Sequence, residues 1–165
     1  MKEKIKMEQL EYFGIPTYII KIWKKHYSDT LLPVQEKAVR QFNLLQYNYA
    51  QTSYAQHQDI VGALLVISPS SSGKTLVGEM AAMQEISLRK KVIFLVPLRT
   101  LAEEKYKHFL HLYQSIGLKV KLSSSDHRYD DQDIINGNFH IAMIVYEKFY
   151  FLQLQYPQFL EHVSL

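Results

Sequence analysis

The stretch Ser68-Pro69-Ser70-Ser71-Ser72-Gly73-Lys74-Thr75 decides how the rest of this sequence is read. It follows an apolar run, Ala63-Leu64-Leu65-Val66-Ile67, and opens the helix-like run Leu76-Val77-Gly78-Glu79-Met80-Ala81-Ala82-Met83. A strand, a loop of small residues, Gly-Lys-Thr and a helix form the context that a phosphate-binding loop requires. Ser70, Ser71, Ser72 and Gly73 are small enough for backbone N–H groups to curl around phosphate oxygens, and the helix N-terminus adds partial positive charge. Lys74 supplies an ammonium for β- and γ-phosphates, and the Thr75 hydroxyl is a candidate Mg²⁺ ligand. One position departs from the strict pattern: Ser68 stands where Gly is usual. Serine is small, so the loop is still expected to form.

Composition narrows the class. The chain has 165 residues, enough for one domain or most of one, and 47% of them are hydrophobic. The formal charge of +3 permits a nucleic-acid partner without requiring one. There is no cysteine, which excludes disulfides and thiolate metal sites. The start, Met1-Lys2-Glu3-Lys4-Ile5-Lys6, is charged and lacks the apolar core of a signal peptide. No apolar run approaches membrane-spanning length. The expected location is the cytoplasm, or the nucleus in a eukaryote.

Residues 1–30 read as a helical preamble. A short helix begins at Ile15-Pro16, with Ile19, Ile20 and Trp23 on one side, and a second opens at Leu31-Leu32-Pro33-Val34-Gln35, carried by Ala38, Val39, Phe42 and Leu45. Residues 46–59, rich in Tyr, Gln and Asn, read as a helix end and a loop. From Gly62 onward, predicted strands at 63–67, 92–96, 118–122 and 139–145 alternate with predicted helices at 74–88, 100–116 and 130–136, and a further helix starts near Tyr146. Apolar strands separated by amphipathic helices predict a three-layer α/β domain around a mainly parallel sheet. The loop is expected at the carboxyl end of the 63–67 strand.

Four blocks in order carry a resemblance: Leu32-Pro33-Val34-Gln35, the Gly-Lys-Thr loop, Val96-Pro97-Leu98-Arg99-Thr100-Leu101-Ala102-Glu103-Glu104-Lys105, and Tyr146-Glu147-Lys148. Together they resemble the first RecA-like domain of superfamily 2 helicases. The likeness is nearest to the superkiller-like group, with its archaeal fork-repair helicases, and to the helicase domain of theta-type DNA polymerases. It implies a RecA-like P-loop NTPase domain over residues 31–165, incomplete at its C-terminal side, with ATP and Mg²⁺ as cofactors. Gln35 matches the glutamine that reads the adenine edge. Phe13 and Ile15 are candidates for covering the adenine face, and equally for plain core. Lys74 and Thr75 match the phosphate and magnesium ligands. Pro97, Leu98, Arg99 and Thr100 match the motif that holds the backbone of a single strand of DNA or RNA.

Some positions depart from the family pattern. Ser123-Ser124-Ser125-Asp126 replaces Ser-Thr-Gly-Asp, His140 stands for an Asp, and Ile144-Val145 replaces two threonines that contact nucleic acid in the family. Ile and Val donate no hydrogen bond to phosphate, so strand binding is expected to be weak. The Asp-Glu-x-His strand and the second RecA-like domain, a partner of this lobe in the family, are not within these residues. No catalytic residue is therefore assigned, and negligible hydrolysis is expected from this chain alone. Two other readings stand beside the motor lobe: a degenerate nucleotide-binding interaction module, and a small P-loop kinase with Glu147 as a stand-in acid. His108 and His111 read as a solvated helix face rather than a metal pair. Asp130, Asp131 and Asp133 read as a helix cap, and the aromatic group Tyr146, Phe149, Tyr150 and Phe151 as core packing.

Overall fold

The computed structural model describes residues 4–45 and 64–163. The chain forms two compact units, Met1–Ser87 and Leu88–Leu165. The first is helical. A 3₁₀ helix, Met7–Phe13, leads to α1 (Thr17–His26), α2 (Pro33–Gln41) and α3 (Lys74–Ser87). Pro16 precedes α1 as its N-cap residue in an extended conformation. Ile19, Ile20 and Trp23 are buried along one face of α1, as the spacing predicts, together with Met7 and Leu10 of the 3₁₀ helix. Pro33 occupies the first turn of α2, where its missing N–H costs nothing. Ala38, Val39 and Leu45 are buried, but Phe42, expected on the same apolar face, is exposed at the C-cap of α2.

The second unit is α/β. It contains β1 (Val92–Val96), α4 (Arg99–Tyr113), β2 (Val120–Ser123), α5 (Asp131–Ile135), β3 (Ile141–Val145) and α6 (Tyr146–Gln155), followed by a 3₁₀ turn at Pro157–His162. The three strands are all parallel, in the order β1-β3-β2. β3 is central, and Ile141, Ala142, Met143 and Ile144 are wholly buried. Residues of opposite parity on a strand face opposite ways, so both faces of the sheet are covered. Ala142 and Ile144 pack with Ile134, Phe139, Leu152 and Phe159, and Ile93 joins them from its register position beside Ala142. On the other parity, Phe94 lies in register with Met143 and meets Phe109 of α4 edge-on, with ring centroids 5.0 Å apart. The unit is therefore layered as α4, sheet, then α5, α6 and the 3₁₀ turn.

Residues 64–67 of the predicted 63–67 strand form no strand. Ala63 lies outside the described residues, as does the predicted loop at 46–59, and residues 64–67 join no ladder. Leu65 and Ile67 are 81% and 84% exposed. An apolar run becomes a strand only when a neighbour takes its backbone N–H and C=O groups, and among the described residues none is paired with it. Among the described residues, the Gly-Lys-Thr loop consequently does not follow a sheet strand. The remaining predicted strands and helices are found with their ends shifted by a few residues, the predicted helix at 100–116 ending as a 3₁₀ turn at Gln114–Ile116. Among the described residues no helix is long and apolar enough to cross a membrane.

His140 fastens the start of the sheet. Its backbone carbonyl accepts from Val92 N and its N–H donates to the Lys119 carbonyl, each at 2.9 Å. Its Nδ1 accepts from the Lys119 N–H at 2.9 Å, which requires that nitrogen to be unprotonated. Burial, and then the charges of Lys119 and Lys91, push the imidazole pKa below its usual 6.5. Between those two values the unfolded chain binds more protons than the folded one, so stability rises with pH. This contribution is full above the ordinary histidine pKa and lost as pH falls through the folded value. Urea midpoints measured at about pH 7.5 and about pH 5.5 are expected to fall more in wild type than in His140→Gln. Equal losses in the two proteins would remove His140 as the cause.

Candidate functional site

Two clefts carry the candidate residues, one within each unit. In the first unit, a cleft of about 300 Å³ is lined by Tyr27, Ser28, Leu32, Gln35 and the loop residues Ser71, Gly73, Lys74 and Thr75. The loop is tightly wound. Ser71 and Gly73 have positive φ, 61° and 91°, and the Ser68 and Ser72 hydroxyls hydrogen-bond each other across it. The serine at 68 thus closes the turn that a glycine would leave unlinked. Ser70 and Ser71 are exposed, Ser72 and Gly73 half-buried, and the exposed Thr75 follows Lys74 in the first turn of α3. Lys74 Nζ donates to the carbonyls of Ser68 at 2.7 Å and Pro69 at 2.6 Å. Its ammonium is thereby folded onto the loop's own backbone.

Gln35 is buried, and its amide links two elements. Oε1 accepts from Leu32 N at 2.8 Å, satisfying a free donor at the start of α2, and Nε2 donates to the Gly73 carbonyl at 3.0 Å. Each amide atom retains one further hydrogen-bonding site. Behind this cleft, the Tyr27 hydroxyl donates to Glu79 Oε1 at 2.7 Å. Burial and the Glu79 carboxylate push the phenol pKa well up, which keeps Tyr27 the donor. Of the two candidates for covering a base, Ile15 is core and Phe13 is half-buried, its carbonyl accepting from Gln84. Neither lines the cleft; Tyr27 and Leu32 do. The C-cap position of Tyr27, just past α1, gave no sequence signal for this.

The second unit holds a cleft of about 470 Å³ at the carboxyl ends of all three strands. Pro97, Leu98 and Arg99 enter from the end of β1, Ser124, Ser125 and Arg128 from the end of β2, and Val145, Glu147, Lys148 and Phe151 from the end of β3. Open parallel sheets place ligands at this edge. Thr100 is exposed in the first turn of α4. Arg99 is ion-paired with Asp126 and lies 3.9 Å from Glu103. Lys148 pairs with Asp131 at 2.6 Å. Val145 faces the cleft, whereas Ile144, read as its companion at the threonine pair, is buried in the core and does not line the cleft.

The acidic run 130–133 is not a side-chain helix cap. Asp130 occupies the N-cap position of α5, but its carboxylate accepts from Leu122 N at 3.1 Å and from Lys121 at 2.9 Å. Asp131 accepts from the buried Ser123 hydroxyl, and Asp133 pairs with Lys121. The adjacent β2 supplies better partners than the helix end. The aromatic group also divides: Phe149 packs on Phe159, while Tyr146, Tyr150 and Phe151 are exposed. Among the described residues no group of three or more His, Asp or Glu is placed to hold a metal ion. Glu147, weighed as a stand-in acid, lines the second cleft.

A glycine-lysine-threonine loop at a helix start and a cleft at the carboxyl edge of a parallel sheet place the chain among α/β proteins. A family model described as DEAD/DEAH box helicase matches residues 33–165, and the chain belongs to that family. Its α/β fold is accordingly that of a RecA-like helicase domain. The chain is 37% identical over 122 residues to a probable ATP-dependent helicase of Methanocaldococcus jannaschii, a match covering 73% of this chain and 13% of that protein. It is 39% identical over 90 residues to the ATP-dependent DNA helicase Hel308 of the same organism, covering 51% and 7% of the two chains. The Hel308 of Pyrococcus horikoshii is 40% identical over 86 residues, covering 52% and 12%. The chain thus spans between 7% and 13% of the length of these relatives.

Gly73 tests how the first cleft is built. A Cβ there would lie 2.3 Å from Gln35 Nε2 and 2.7 Å from Leu32 Cδ1, on a backbone already at φ +91°. Gly73→Ala is expected to destabilise the chain by about 1–3 kcal/mol, the scale of one strained non-glycine residue. Urea denaturation measures this, and a stability equal to wild type would show that the loop relaxes freely.

Proposed function

We propose that this chain is the ATP-binding part of a helicase motor lobe, with residues 31–165 forming the first RecA-like domain. The observation that carries the reading is the placement of Gln35 against Gly73, directly before Lys74 and Thr75 at the start of α3. The donor set suits a triphosphate with its magnesium ion: an ammonium, a hydroxyl beside it, and backbone N–H groups at a helix start. The close approach at Gly73, where a Cβ would collide with Gln35 and Leu32, keeps the glutamine amide against the loop. Lys74 would exchange the Ser68 and Pro69 carbonyls for phosphate oxygens, and Thr75 would hold the metal. The remaining lone pair and proton of the Gln35 amide suit an adenine edge while its other pair still braces the loop. Tyr27 and Leu32 would flank the base. ATP, when bound, supplies the free energy of phosphoanhydride cleavage that a motor uses.

The relatives are a "probable ATP-dependent helicase" and ATP-dependent DNA helicases by description, and the strand-end cleft of the second unit suits the backbone of a single strand of DNA or RNA. Arg99, with Pro97, Leu98 and Thr100 around it, lies at the start of α4, where backbone N–H groups and a guanidinium form a phosphate clamp. A second RecA-like domain would complete the motor. Cytoplasm or nucleus is the compartment that fits such a lobe.

Isothermal titration with ATP and Mg²⁺ tests the nucleotide assignment. Lys74→Ala removes charge-assisted hydrogen bonds worth about 1.5–3 kcal/mol, so affinity is expected to fall roughly 10- to 100-fold. Identical titrations of wild type and Lys74→Ala would overturn the assignment and leave an interaction module.

A further inference from the structure

The cleft at the strand ends contains three cations in different states. Arg99 is held by Asp126, both side chains being well exposed (49% and 63%). Lys148 is held by Asp131 with both side chains largely enclosed (13% and 18%), and its ammonium also lies 5.1 Å from the Phe151 ring centroid. Arg128 differs. Its Nε donates to the Ser125 carbonyl at 3.1 Å, which fixes the direction of the guanidinium, and no carboxylate is paired with it among the described residues. Arg128 is exposed, and its terminal nitrogens remain available as a fork for a phosphate.

Resting on the reading of this chain as a helicase lobe, we propose that Arg128 is the residue through which the cleft takes a single-strand phosphate. Arg99 joins it only when that phosphate displaces Asp126. Exposed ion pairs are weak and screened, so a phosphate competes well for Arg99. The enclosed Lys148–Asp131 pair is not given up, because breaking it would strand a charge away from water. Phe151, 44% exposed in the same cleft, offers a ring face on which a base stacks. A free cation, a releasable cation and an aromatic face in a nucleotide-sized cleft suit a flexible polyanion carrying bases, read without regard to sequence.

Anisotropy titrations of a labelled oligothymidylate over a range of salt concentrations test this on the whole chain. Arg128→Ala is expected to lower affinity by about tenfold and to reduce the magnitude of the salt slope by about 0.7, the value of one phosphate contact on a single strand. Arg128→Lys keeps the charge and loses the fork, so it should lower affinity while leaving the slope unchanged. Asp126→Asn frees Arg99 and should raise affinity severalfold. Should wild type bind and Arg99→Ala weaken it while Arg128→Ala matches wild type in affinity and slope, the role of Arg128 is overturned and the helicase-lobe reading stands. No binding by wild type at any salt would overturn both. Loss of affinity in Asp126→Asn would overturn the displacement of Asp126.

Discussion

The second unit depends on the burial of one strand. β3 is hydrogen-bonded on both edges and covered on both faces, with four consecutive side chains removed from water. Burying Ile141, Met143 and Ile144 among them stabilises by about 1.5–3 kcal/mol each, and one strand can do it only if helices lie on both sides of the sheet. The parallel direction of β1 and β2 follows from helical crossovers. Parallel strands must also end at the same edge, and this is what brings Arg99, Arg128 and Lys148 together from three separate places in the chain. The cleft is a consequence of topology, not of any local motif.

The same fact explains what the sequence disclosed. Strands 92–96 and 139–145 were legible because their apolar runs are bounded by turns and helices; β3 is buried as that character implies, whereas β1 is largely half-buried with Leu95 exposed. The tight turn before α3 was legible because small residues, Gly73, Lys74 and Thr75 are contiguous. The 63–67 run was equally apolar and misled, since apolarity marks a segment suited to burial without naming a hydrogen-bonding neighbour. Arg128 carried no signal. Its relevance comes from an approach to Arg99 and Lys148 that only the sheet edge creates. Asp130 and Asp131 were misread for the same reason: their partners, Leu122 N–H and the Ser123 hydroxyl, come from a strand that a one-dimensional reading does not place beside them.

The departures from the family pattern change meaning in three dimensions. Val145 and Ile144 stand where the family pattern has two hydroxyl-bearing residues, yet only Val145 faces the cleft, so the hydrogen-bonding capacity lost from its lining is one group rather than two. His140 replaces an acid at a position that fastens β1, β2 and β3 through its backbone and ring. Its side chain serves as a neutral acceptor there.

In the first unit a comparable economy rests on Gln35. The N-terminus of α2 has backbone donors without helical partners, and the wound loop turns the Gly73 carbonyl inward. One buried amide answers both, accepting from Leu32 and donating to Gly73. Leaving either group unsatisfied would cost about 1–3 kcal/mol, so the amide is held by structure before any ligand arrives. A group that hydrogen-bonds Gln35 therefore bears on the carbonyl immediately before Lys74. The ammonium in turn is held by two loop carbonyls, and a change in the pitch of the loop at Gly73 moves all three groups together. The start of α2 and the loop carbonyl before Lys74 are thus linked mechanically through a single side chain.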